Sequence, residues 1–191
     1  MIAVRDVKLA AAAGLAAATA LAGFAALVAL NGGGAMKIGG WRPLELAAGY
    51  DRAADALIRT GRPADLPRAE ALSRRAIALH PYDIGAWLRI AYVDAQVHGK
   101  LTPAGIAAFG RSYDLVAYDP DEASWRIAFA LQHWTDLPAD LKAEVKAEAM
   151  SVGSSWRHRA RIVGVLKGVT NPAARLTAAL WVSQIERAKW R

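Results

Sequence analysis

Side chains able to hold a metal or move a proton are scattered along this chain. The four histidines, His80, His98, His133 and His158, share no helical turn and no metal-ligand spacing. Cysteine is absent, which excludes disulfides and thiolate metal sites. Gly164-Val165-Leu166-Lys167-Gly168 lacks the spacing of a phosphate-binding loop, and neither Gly-x-Ser-x-Gly nor His-Glu-x-x-His occurs. Carboxylates are common but interleaved with bases. The run Asp140, Lys142, Glu144, Lys146, Glu148 predicts a solvated helix face. The expectation is therefore a chain with no catalytic, cofactor-binding or metal-binding residues. A carboxylate pair assembled from distant positions stays open.

The basic residues are more telling. The formal net charge is +7, and residues 151–191, with eight Lys or Arg and a single Glu, carry all of it. Trp156, Trp181 and Trp190 stand among these charges. Arg and Trp together suit protein and membrane interfaces. This block predicts an interaction surface of Trp156, Arg157, Arg159, Arg161, Lys167, Arg187, Lys189, Trp190 and Arg191. Its partner would be acidic: an anionic lipid, an anionic polymer or an acidic protein. The alternative is a solvated terminal helix. Nucleic acid is not expected as a partner.

The elements that must position these residues are helical. Apolar residues recur three and four apart: Ala69, Leu72, Ala76, Ile77 and Leu79; Trp87, Ile90, Ala91 and Val93; Trp125, Ala128, Phe129 and Gln132. No run alternates as a strand would. Turn chemistry marks the breaks at 60–63, 80–83, 98–100, 119–121, 136–138 and 170–172. Asn171 before Pro172 reads as an N-cap with proline at the first helical position. Seven or eight short helices are expected in an all-α domain over 42–191.

Part of the pattern repeats. Ala69 lies twelve residues before Pro81, and Ala108 twelve before Pro120. Each proline leads into a helix with a tryptophan, Trp87 and then Trp125. A fixed period with one supersecondary unit per copy marks helical repeat architectures. Ala69, Ala76 and Pro81, followed by Trp87, Ile90 and Ala91, resemble the tetratricopeptide repeat. Ser73, Asp94 and Leu115 depart from its pattern, and the offset of 39 residues between prolines exceeds its period of about 34. The resemblance implies a stack of antiparallel helix pairs, packed through Ala69, Ala76, Pro81, Trp87, Ile90, Ala91, Ala108, Pro120 and Trp125. An unrelated all-α bundle is the alternative.

Leu9 to Leu30 is an uncharged stretch of twenty-two residues, preceded by Arg5 and Lys8 and followed by Asn31-Gly32-Gly33-Gly34. At about 1.5 Å per residue it reaches across a hydrocarbon core of about 30 Å. The expected layout is a short cytoplasmic tail at 1–8, a transmembrane signal anchor at 9–30, a Gly-rich linker at 31–41, and the helical domain at 42–191. Alternatives are a signal peptide cleaved near Gly33-Gly34-Ala35 and a buried core helix. The short basic tail favours an inner-membrane protein with its domain in the periplasm. Lys37 and Arg42 balance the basic residues before the helix, so a cytoplasmic domain stays open. The layout is similar to VpsP-type polysaccharide biosynthesis proteins. It implies a non-enzymatic scaffold binding protein partners of a cell-envelope machinery, with membrane lipid around 9–30. An accessory subunit of a larger membrane complex and a small envelope enzyme are the alternatives.

Overall fold

The computed structural model describes residues 4–38 and 41–188. The chain divides into two compact units, Met1–Pro81 and Tyr82–Arg191. The first opens with α1, Val4–Asn31, a helix of 28 residues. The positive φ of Gly33 and Gly34, 79° and 97°, turns the chain out of α1 into an antiparallel hairpin of β1, Ala35–Ile38, and β2, Trp41–Glu45. Next come α2, Ala47–Arg59, a 3-10 turn at Pro63–Asp65, and α3, Leu66–Leu79.

The hairpin corrects the expectation of no strands. Its four and five residues are too short to show alternation, and the glycines beside it read as slack. They are instead tightly packed. Gly34 N–H donates to the Ala29 carbonyl at 2.8 Å, and Leu46 N–H to the Gly34 carbonyl at 2.7 Å. Ala29, Gly34, Gly49 and Tyr50 are buried together. A Cβ on Gly34 would overlap the Tyr50 ring, and one on Gly49 would stand 2.6 Å from Gly34 Cα. The end of α1 is thus clasped to the start of α2. Glu45 extends the tie, accepting from the Tyr50 hydroxyl at 3.1 Å and pairing with Arg75 of α3. Helices α2 and α3 approach closely through small side chains, with Ala54, Ala69, Ser73 and Ala76 fully buried. Ser73 suits this face because its hydroxyl donates to the Ala69 carbonyl at 3.0 Å, leaving no unmet donor.

The second unit holds α4, Ile84–His98; α5, Pro103–Leu115; α6, Ala123–Gln132; α7, Ala139–Ser154; α8, Arg159–Lys167; and α9, Pro172–Ala188. All six breaks read from turn chemistry fall between helices. Asp83 caps α4, accepting from Ala86 N–H at 3.0 Å, and Asn171 caps α9, accepting from Ala173 N–H at 3.0 Å. Gly99, at φ 68°, ends α4 in the left-handed region. Helices α4 and α5 form a hairpin. Helix α6 packs on α7, α8 and α9 over a core that includes Ile127, Leu131, Val145, Ile162 and Ile185.

Two expectations change here. The buried residues of α6 are Ala123, Arg126, Ile127, Phe129, Ala130 and Leu131; of the expected face Phe129 is buried, while Ala128 and Gln132 are exposed. Trp125 is 37% exposed and stacks on Phe129 with ring centres 4.7 Å apart. The second change is the break between α7 and α8, at 155–158, which contains neither Gly nor Pro.

Candidate functional site

Acid, base and hydroxyl converge out of solvent inside the second unit, around Arg126 and Glu148, both wholly buried. The carbonyls closing α5 need donors, and Arg126 supplies them. Its Nη1 donates to Ser112 and Val116 at 3.2 and 2.9 Å, and its Nη2 to Ala117 at 3.4 Å. A cation at a helix C-terminus also suits the helix dipole. Glu148 neutralises that cation in a direct ion pair. It further accepts from the Tyr113 hydroxyl at 2.8 Å and from Asp119 N–H at 3.3 Å. The Arg126 guanidinium lies 4.2 Å from the centre of the Tyr113 ring. Burial, and then the charge of Glu148, holds the Tyr113 hydroxyl above its ordinary pKa.

No substrate reaches a pair with no exposed surface, so this is a structural clamp joining α5, α6 and α7. It corrects the reading of Glu148 as part of a solvated face. The run from Asp140 to Glu148 is solvated at Asp140, Glu144 and Lys146, but Glu148 falls on the buried side with Leu141 and Val145. No sequence signal marks Arg126 and Glu148 as partners 22 residues apart. The neighbouring acids feel the same crowding. Glu122 is pushed above the usual carboxylate range by burial and by Asp119, and Glu144 by burial and by Asp114 and Asp140.

The histidines stay apart. His98 Nδ1 lies 2.9 Å from the Asp94 carbonyl oxygen, and His133 Nδ1 lies 3.6 Å from an Asp136 oxygen. Both acids pin the turn between α4 and α5. Asp94 accepts from Thr102 N–H and hydroxyl at 2.8 and 2.7 Å, and Asp136 from Leu101 N–H at 3.0 Å. Among the described residues no cluster of His, Asp or Glu is arranged to hold a metal ion.

The basic block divides into inward and outward members. Arg159 turns in and caps α7, donating to the Gly153 and Ser154 carbonyls at 3.3 and 2.7 Å. Arg161 donates to the Pro120 carbonyl. Trp181 is buried edge-on to Trp134, 5.7 Å between ring centres, and belongs to the core. Trp156 is 81% exposed, with the Arg157 guanidinium 5.7 Å from its ring centre. Lys167 lies 3.3 Å from Glu186. Arg175 and Arg187 are exposed, as are Leu176 and Leu180 on the same helix. Lys189, Trp190 and Arg191 lie outside the described residues.

Of the expected repeat contacts, Ala69 and Ala76 are buried in the first unit, and Ile90, Ala91 and Ala108 in the second. Trp87 is half-buried, and Pro81 and Pro120 are exposed. In α1, Leu15, Leu21, Phe24 and Leu27 are between 57% and 72% exposed. From Gly14 to Asn31 this helix is long and apolar enough to cross a membrane, a property shared with signal sequences. No protein-family model, characterised protein or solved structure matches the chain.

Proposed function

We propose that this chain is a membrane-tethered, non-enzymatic scaffold whose tetratricopeptide-like helix pairs bind protein partners of a cell-envelope machinery, with surface-polysaccharide synthesis or export the first pathway to test. The observation that carries the reading is α1. It exposes four large apolar side chains between Leu15 and Leu27, and Ala29, near its C-terminal end, is buried. Such a surface needs lipid or a partner helix to cover it.

The clasp favours a retained helix over a cleaved one. Cutting near Gly33-Gly34-Ala35 would remove Ala29 from its contacts and free the hairpin, in which Ala35 is buried. Helix pairing in α2–α3 and α4–α5 supports the scaffold reading, as does the sealing of the acid–base cluster from solvent. A tethered scaffold raises the local concentration of its partners. On this reading the helical domain lies in the periplasm.

The test is a C-terminal alkaline-phosphatase fusion combined with N-terminal sequencing of the membrane fraction. An active fusion whose mature chain still begins near Met1 supports the reading. An active fusion beginning after residue 30 makes the chain a secreted protein, and an inactive fusion reverses the orientation.

A further inference from the structure

A groove of about 340 Å³ lies between α8 and α9. Leu166, Val169, Ala179 and Val182 form its apolar floor, and Lys167 and Arg175 line it with charge. The volume suits one aliphatic side chain and an adjoining polar group, near the lower limit of ligand pockets. On α9 the lining residues Arg175, Ala179 and Val182 fall on one stripe, and Glu186 continues it. The Lys167–Glu186 pair therefore closes one end, and Arg175 stands at the other. Both members of that pair are more than half exposed, so Lys167 can exchange Glu186 for another carboxylate at little cost.

Arg175 is the informative residue. It sits in the first turn of α9, where a cation opposes the helix dipole. Its backbone N–H donates to the Asn171 carbonyl at 3.1 Å, but its side chain is exposed and has no hydrogen bond or ion pair among the described residues. Nothing in the fold repays its position. An anion in the groove would.

We propose that this groove takes a short acidic-apolar peptide segment of a protein partner. An Asp or Glu carboxylate would sit between Lys167 and Arg175, and the adjoining Leu, Ile or Val side chain on the apolar floor. The inference rests on the scaffold reading and gives it a site. Charge complementarity selects an acidic ligand, because the whole net charge of the chain lies in residues 151–191. The dimensions select a side chain over the paired acyl chains of a lipid. Leu176 and Leu180, exposed on the same helix, offer flanking contact to residues beside the anchor.

The experiment selects displayed random heptapeptides against the full chain in neutral nanodiscs. Enrichment for Asp or Glu next to Leu, Ile or Val is expected. The best peptide is then titrated against two variants. Arg175→Glu should weaken binding at least about tenfold, since it replaces attraction by repulsion, while raising the melting temperature because it now suits the dipole. Ala179→Trp, which fills the groove and leaves every charge in place, should also abolish binding. Selected peptides without acids, or binding unchanged in both variants, would overturn the proposal. So would retention on anionic vesicles that Arg175→Glu abolishes when no peptide binds; the ligand would then be a lipid headgroup. Partners that still co-purify with both variants would overturn the groove while leaving the scaffold reading intact.

Discussion

Arg126 and Glu148 illustrate how a charged pair becomes part of a core. Each alone would be an unacceptable burial; together they close α5 and bind three helices. Arg126→Leu should cost about 3–5 kcal/mol, because Glu148 is left as an uncompensated buried charge. The double variant Arg126→Leu, Glu148→Leu should regain much of that loss. Urea denaturation of both variants checks the comparison. Glu122 behaves oppositely to a paired acid. Its folded-state pKa is raised, so the native state binds more protons than the unfolded chain just above the ordinary value of 4.5. Stability from this group therefore falls as pH rises through that window. Glu122→Gln should be more stable than the wild type at pH 7 and lose the advantage at pH values below the ordinary carboxylate range, as read by urea midpoints at both. None of this was legible in the sequence, because helical spacing assigns faces within one helix and cannot match a base in α6 to an acid in α7.

At the scale of elements, sequence reading worked where turn chemistry is explicit. Pro, Gly and Asx residues bracket every helix end from 60 to 172 except the one between α7 and α8. That break is made by packing: Arg159 reaches back to the carbonyls of α7. Arg159→Ala should therefore cost about 1 kcal/mol through the lost cap, whereas Arg157→Ala should be nearly silent in the same thermal melt. Charge reversal across 157, 159 and 161 would confuse folding with binding, since two of the three are structural. The outward set Arg157, Arg175 and Arg187 is the appropriate probe of the basic surface. The hairpin escapes the sequence pattern for a different reason. A glycine run signals slack when its surroundings are unknown, yet Gly34 is demanded by the Tyr50 ring and by its own φ. Gly34→Ala should destabilise the first unit by about 1–3 kcal/mol, measurable by protease sensitivity of α2 in detergent.

For the molecule as a whole, composition located the charge and the apolar stretch correctly, and neither required the fold. The helix content was equally plain from periodicity. What the chain binds was not, because an exposed basic residue and a structural one look alike in sequence; Arg159 and Arg175 differ only in what surrounds them. On the proposed reading, the protein in anionic vesicles should bind acidic peptides more weakly than in neutral ones, because the lipid competes for the basic surface and repels the peptide. Binding of an acidic peptide in neutral nanodiscs should fall steeply with salt, as the Debye length shrinks from about 8 Å at physiological strength to about 3 Å at 1 M.

The junction at Ala29, Gly34, Gly49 and Tyr50 has a mechanical corollary. A slack tether would let the α2–α3 hairpin tumble freely above a bilayer. A clasp makes α1 and that hairpin one lever. When the apolar length of a helix exceeds the local bilayer thickness, the helix leans over. On the proposed reading, with α1 across the bilayer, the lean would swing the hairpin with it, so membrane thickness would set the angle at which α2 and α3 are presented. Spin labels on α2 in thin and thick bilayers should report different orientations, and Gly34→Ala should uncouple them.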